Sequence, residues 1–384
     1  MNTFREVIHD SRALYCLDCG KCSSVCPVTL HLVEGYTSPR LLVETALACG
    51  ADTTLDDPLL WSCLTCRRCS EICPSEVDFS SFIQHMRQLA SNQGNEGPCT
   101  HGGVVQSWMR MMSSADWRGE RLDWIGPNLE IDEDSETIYF PGCLAFFDSA
   151  FRDLGIEGLD IARSAVRILN ALGIQPRVLE DERCCGHDLY WQGEMETFRN
   201  LASQNLEAIH RSGAKRILTT CPECAYTLKH TYAEEVGDPG VEVFHLAQFL
   251  AEQGSLPRLV EEPPAGRSAV TYQDPCRLGR YEDVYQQPRD LLEEFGFDLI
   301  EMEHNRQESI CCGTSCWTSC GQVNKRIQVD RLHEARTTNA DLLVTACPKC
   351  QIHLKCAQND PVTGEEIAIP IRDLTTLLAE KLQQ

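Results

Sequence analysis

No stretch of this 384-residue chain runs to 18 consecutive apolar residues, so no segment of it crosses a bilayer by itself. Its first 13 residues are polar and charged and do not read as a secretory leader. Positive charge is scarce: 34 Lys and Arg stand against 57 Asp and Glu, a formal net charge of −23. That balance argues against nucleic acid and against direct adsorption to anionic lipid, both of which need basic patches. Neither G-x-G-x-x-G, a P-loop nor H-E-x-x-H occurs, which leaves no site for nicotinamide, flavin or nucleotide in this chain. These absences predict a cytoplasmic protein that reaches a membrane face only through a partner subunit.

What the chain has in excess is cysteine, 23 residues. Disulfide scaffolds are short secreted chains, whereas 384 residues with a 42% hydrophobic fraction fill two or three ordinary domains. The thiols are therefore expected to be reduced or bound to metal. Eighteen of them fall into four ordered groups. Two groups have the form C-x2-C-x2-C-x3-C-P: Cys16, Cys19, Cys22, Cys26-Pro27 and Cys63, Cys66, Cys69, Cys73-Pro74. Each iron of a cubane cluster needs one external thiolate, and x2 spacing lets one loop reach three irons. In two-cluster proteins the fourth cysteine of a run ligates the other cluster. The expected sets are Cys16, Cys19, Cys22 with Cys73, and Cys63, Cys66, Cys69 with Cys26. Four-cysteine zinc is the structural alternative, but two runs in this cadence, each closed by Pro, favour iron–sulfur. Lys21, Arg67 and Arg68 lie inside the runs, either offsetting cluster charge or forming a solvated face.

The other two groups repeat a longer pattern: Cys143, Cys184-Cys185-Gly186, Cys221, Cys224, then Cys276, Cys311-Cys312-Gly313, Cys347, Cys350. Five thiolates exceed the four corners of a cubane, so either one per copy is spare or the cluster is not a cubane. Adjacent cysteines do not comfortably chelate one iron, but they can bind neighbouring irons or bridge two. An isolated C-x2-C can also be a thioredoxin-like pair or half a zinc site.

Residues 1–90 read as a helical unit, with helix-period apolar positions over 40–49 and 79–89 and a first loop punctuated by Pro27, Gly35 and Pro39. Residues 91–135 form a connector whose three tryptophans, Trp108, Trp117 and Trp124, predict a packed middle between flexible ends. Strand–helix alternation then occurs twice, over 136–260 and 267–384, around a hinge at 261–266. Expected strands are 137–140, 175–179, 216–219 and 241–244, then 269–272, 298–302 and 342–344. Corresponding cysteines lie 133, 127 and 126 residues apart (143 and 276, 185 and 312, 221 and 347), a domain-sized internal repeat. Alternation implies parallel sheets, and cysteines that follow strands gather at the carboxyl edge, where open α/β sheets place ligands. Each C-P-x-C is expected to open a helix, whose N-terminal dipole favours thiolate.

The motifs Pro141-Gly142-Cys143, Cys184-Cys185-Gly186, Cys221-Pro222-Glu223-Cys224 and their second copies resemble the cysteine-rich CCG domain. The whole layout resembles the catalytic iron–sulfur subunit of heterodisulfide reductase, in the form that fuses the ferredoxin-like and CCG-bearing parts. The 36 residues between Cys26 and Cys63 resemble the α-helical ferredoxin domains of respiratory complexes. The resemblance implies an α-helical ferredoxin-like domain with two cubane [4Fe-4S] clusters, followed by two tandem Rossmann-like CCG domains. It further implies a noncubane [4Fe-4S] cluster held by Cys143, Cys184, Cys185, Cys221 and Cys224, and another held by Cys276, Cys311, Cys312, Cys347 and Cys350. A small disulfide is then cleaved between the two, each cluster giving one electron drawn from a flavoprotein or membrane cytochrome. Similar chains serve as relays for glycolate, lactate or glycerol-3-phosphate dehydrogenases, or in membrane-associated sulfur metabolism. Those dehydrogenase chains often lack some CCG cysteines, and the two intact sets here favour the disulfide-reductase type. The chain departs from the family at residues 314–320, where Cys316, Trp317 and Cys320 replace small residues; Trp317 is expected to narrow the substrate pocket.

Five cysteines remain. Cys49, Cys99 and Cys356 are expected to be small buried hydrophobes, and Cys316 and Cys320 lie close to the second CCG site. His187 and His245 are the histidines placed to give a proton to a leaving thiolate, with a structural role as the alternative.

Overall fold

Cysteine-rich loops interrupt any long helix, and the first quarter of the chain is accordingly built from short ones. In the computed structural model, which describes residues 3–32, 36–253 and 268–382, two helices dominate this region. Pro39–Cys49 starts with Pro at its first position, capped by Ser38, and Phe79–Asn92 is capped by Asp78. The second buries Phe82, Ile83 and Met86 along one face. Gly35 and the expected hinge at 261–266 lie outside the described residues.

Two parallel sheets follow. The first has the order β1-β2-β3, with β1 Thr137–Tyr139, β2 Arg216–Thr219 and β3 Glu242–His245. The second has the order β5-β4-β6-β7, with β4 Ala269–Gln273, β5 Asp298–Leu299, β6 Leu342–Thr345 and β7 Ile371–Asp373. The strand expected at 175–179 is reduced to one bridge, Ile138 to Arg177. Pro176 has no N–H to give, so the ladder cannot extend through it. The strand expected at 298–302 ends at Leu299.

Three apolar cores hold these pieces together. One joins Leu42, Leu60 and Phe82 of the helical region to Ile327, Leu343 and Leu354 of the second sheet's layer. Another packs the connector helix Val104–Ser113, through Val105, Met109 and Met112, onto the first sheet's layer. The third lies between the two sheets' layers and takes in Trp124, which meets Tyr139 edge-on at 6.2 Å. At about 1.5–3 kcal/mol per buried Leu, Ile or Phe, each core outweighs any single polar contact across its boundary. The connector's tryptophans are thus spent on packing: Trp117 also lies beneath the Arg183 guanidinium at 4.5 Å.

Candidate metal centres

Around the helical region's loops, left-handed backbone at Asp18, Gly20, Thr65 and Arg67 folds the cysteine runs back on themselves. Cys22 is raised above the ordinary thiol range by burial and by the charges of Cys16 and Cys73. Burial pushes Cys63 up to about 12, with Cys26 and Cys66 adding to it. Cys69 is raised well above its ordinary value by burial and by Cys26, Cys66 and Cys63. Cys22 thus lies near Cys16 and Cys73 and also within reach of Cys69, which Cys26, Cys63 and Cys66 surround. Thiols so crowded and desolvated lose their protons only to a bound cation, the donor chemistry an iron–sulfur cluster requires. One cavity here is lined by Cys26, Cys63, Cys66 and Cys69, with Leu64 and Phe79 closing its apolar side.

In the first CCG copy, Cys143 follows β1 and Cys221 follows β2, and Cys221 begins the helix Pro222–Tyr226, which continues through a π turn at Thr227–Thr231. Cys143, Cys184, Cys185, Cys221 and Cys224 line one cavity. Cys143 Sγ is 3.3 Å from Cys184 Sγ, and Cys224 Sγ is 3.4 Å from Cys185 Sγ. Gly142 has φ +61, and a Cβ there would lie 2.9 Å from Cys224 Sγ, so only glycine lets the chain pass. A buried carboxylate holds the turn: Glu182 accepts from Gly142 N at 2.9 Å and pairs with Arg121 at 2.5 Å.

In the second copy Cys276 follows β4, and Cys347 follows β6 and opens the helix Pro348–Gln358. Cys276, Cys312, Cys347 and Cys350 line a cavity, and Cys311 lies buried beside them. One thiol of each adjacent pair is held low. Cys184 falls well below the ordinary range through hydrogen bonds from Cys143 and Cys185; Cys312 falls to about 6 through Cys311 and Cys350.

Of the charges inside the runs, Lys21 is exposed, Arg67 lines the Cys63 cavity while reaching Glu71 and the Tyr281 ring, and Arg68 is half-buried and donates to Val25 O at 3.4 Å. Three buried arginines join them. Arg87 donates to Cys63 O at 2.8 Å and Arg280 to Cys66 O at 2.6 Å. Arg277 holds Thr65 O and Thr65 Oγ1, both at 2.8 Å. The sequence signal for two of them was there: Arg277 and Arg280 closely follow Cys276. Leu64 lines both the Cys63 cavity and the Cys276 cavity, so one side chain separates them.

Of the two histidines, His187 lines the first CCG cavity and His245 caps a helix. His187 donates through Nδ1 to Thr227 Oγ1 at 2.9 Å and accepts from Arg277 Nε at 3.3 Å, and burial with these cations keeps it neutral. His245 caps the helix Leu246–Glu252, and burial lowers it to about 4. Trp317 lines neither CCG cavity. It is buried between Phe151, stacked at 5.3 Å, and His353 at 4.8 Å, behind the Lys349 ammonium. The expectation that Cys49, Cys99 and Cys356 are buried is corrected: Cys49 and Cys99 are exposed and Cys356 is half-buried. Leu42, Val43 and Ala46 already fill the buried face of the helix that Cys49 ends. Cys316 is fully buried and Cys320 exposed. Among the described residues no helix is long and apolar enough to cross a membrane.

Comparison with known proteins agrees with this division. Residues 12–77 match the 4Fe-4S dicluster domain, and residues 137–229 and 270–355 each match the cysteine-rich CCG domain. One component of the dihydromethanophenazine:CoB–CoM heterodisulfide reductase from Methanosarcina barkeri is 32% identical over 68% of this chain, which spans 63% of that relative's length. The EtfAB:quinone oxidoreductase of Syntrophomonas wolfei is 32% identical over 63% of this chain and 34% of its own. In fold, the chain is similar over its whole length, and over 77% of the other chain, to a hypothetical protein from Helicobacter pylori, with a TM-score of 0.54 at 10% identity. With the dicluster stretch and both CCG stretches matched, more than half of its length in all, the chain belongs to the iron–sulfur protein family that includes that heterodisulfide reductase component.

Proposed function

We propose that this chain is the iron–sulfur subunit of a heterodisulfide reductase-like complex, in which electrons pass through two cubane clusters to two noncubane clusters that reduce a disulfide or related acceptor. The observation that carries the reading is the pair of cysteine-lined cavities with a shared wall, since Glu223 and Lys349 line both. Clusters bound there supply one-electron steps, and a disulfide needs two. The ligand sets are Cys16, Cys19, Cys22, Cys73 and Cys63, Cys66, Cys69, Cys26 for the cubanes. For the noncubane pair they are the five cysteines of each CCG copy.

Other residues direct the flow. Cys19 is exposed, and Leu14, Tyr15, Leu17, Leu30 and Tyr36 are exposed around that run, the inlet where a flavoprotein or membrane cytochrome docks. Leu64 makes the second CCG site the next stop, and the first CCG site the last. Arg87, Arg277 and Arg280 offset the added negative charge without exposing it to water. The complex works in the cytoplasm, at a membrane face when its partner is a cytochrome.

The test removes one site. In Cys347→Ser, viologen-driven reduction of small thiol disulfides should collapse while the cubane signals persist in electron paramagnetic resonance; undiminished turnover sinks the two-site reading. A relay for a flavin-linked dehydrogenase is the second reading, favoured by the likeness to a quinone oxidoreductase. It gains if the intact, fully loaded protein reduces no disulfide.

A further inference from the structure

The two C-P-x-C motifs of the repeat differ at their variable position by a charge: Glu223 in the first copy, Lys349 in the second. In the fold these equivalent positions meet. Lys349 Nζ lies 2.6 Å from Glu223 Oε2 and 2.5 Å from Asp188 Oδ1, Asp188 being the second residue after the first copy's C-C-G. The ammonium is 5% exposed. On its far side it faces the Trp317 ring at 5.3 Å. Glu223 turns its other oxygen toward His187, 3.5 Å away, and His187 in turn accepts from Arg277. Lys349 is therefore a side chain of the second copy, neutralised by acids of the first, in the wall common to both cavities.

We propose that Lys349 is a positioning residue whose single positive charge is shared by the two CCG sites, easing the addition of an electron at both and coupling one addition to the other. The inference rests on the reading that both cavities hold iron–sulfur clusters. The physical reason is placement. A buried charge is screened little by solvent, and the ammonium offsets the Asp188 and Glu223 carboxylates beside it, so its loss leaves both sides facing their uncompensated negative charge. An electron added on one side adds to that negative charge and makes the addition on the other harder. The opposite charges at equivalent motif positions also fix how the copies dock, since like charges there would repel at the same distance.

The test is an anaerobic redox titration of the full chain, followed by electron paramagnetic resonance after iron and sulfide analysis. Lys349→Met should make both CCG-site signals harder to reduce by tenfold or more, about 59 mV for one electron, while the cubane signals stay where they are. Lys349→Arg should return both toward the parent values. Glu223→Gln should move both the opposite way, because it removes a negative charge and leaves Asp188 to hold the lysine; it serves if Lys349→Met loads iron poorly. Full iron content with a shift at one site only, or at neither, overturns the inference alone. A parent chain with half the expected iron overturns the cluster reading and the inference with it.

Discussion

Set side by side, the two CCG copies carry the same five thiolates in different company. The second is bound into the dicluster region: Arg277 and Tyr281 hold Thr65 O at 2.8 Å each, and Arg280 holds Cys66 O. The first meets the same region through other groups, with Trp191 O accepting from Arg87 and Tyr190 O from Gln84, and it adds the pairing of Arg121 with Glu182 under the Gly142 turn. The repeat has thus kept its ligands and changed the side chains around them. The difference lies in residues that neighbour the cysteines, Arg277 and Lys349 above all, and not in the cysteines.

Ligand removal should break this comparison most sharply. Cys312→Ser should empty the second site and starve the first, cutting disulfide turnover by about 100-fold or more, beyond the usual cost of disturbing an outer shell. Cys185→Ser should cost as much turnover yet leave the second site reducible by the physiological donor, which freeze-quenched spectra will separate. Equal loss of reducibility in both variants would refute the order of the two copies. Iron analysis of the parent should give about sixteen irons, from four four-iron clusters.

Next comes Arg277→Met, which removes the clamp on Thr65 and leaves buried acceptors unmet. Urea unfolding of the loaded chain should lose about 3 kcal/mol, with slower electron passage from the cubanes to the CCG sites. An unchanged transfer rate would show that the clamp is only structural.

The helix caps after β3 and β7 sharpen the comparison through pH. His245 and Asp373 occupy equivalent places, each accepting from the backbone two residues on. Burial raises Asp373 to about 8 and lowers His245 to about 4. The raised carboxyl binds more protons when folded, so its stabilisation is full below about pH 4 and is lost as pH rises through 8. The lowered imidazole works in reverse: its stabilisation is present above about 6.5 and is lost as pH falls toward 4. Asp373→Asn should therefore flatten the alkaline side of a melting-temperature profile and His245→Gln the acidic side, each by a few kcal/mol or less. The smallest effect belongs to the inlet. Leu17→Ala should change stability by no more than about 0.5 kcal/mol while raising the KM for the electron-donating partner; an unaltered KM would move the docking site elsewhere.

Much of this was legible from spacing alone. The runs at Cys16 and Cys63, the repeat, the parallel sheets and both C-P-x-C helices follow from cysteine cadence and strand–helix alternation. What spacing cannot report is which distant segment supplies charge. Arg87 is 24 residues from Cys63, and Arg277 is 212 from Thr65. The strand at 175–179 failed because periodicity counts apolar residues and ignores the missing N–H of Pro176. Cys49 failed because a helix face has a finite core to cover, and Leu42, Val43 and Ala46 had taken it.

Cys316 and Trp317 both adopt left-handed φ, 53° and 57°, a conformation that costs non-glycine residues about 1–2 kcal/mol each. The carbonyls of that pair are held from far upstream: Trp317 O accepts from Thr100 N at 2.7 Å, and Cys316 O from Gln106 Nε2 at 3.2 Å. During synthesis the connector leaves the ribosome 210 residues earlier than this loop, counted from Gln106 to Cys316. The connector, made earlier, thus carries the donors that hold this later-made loop, so the left-handed form of Cys316 and Trp317 depends on contacts supplied from far upstream.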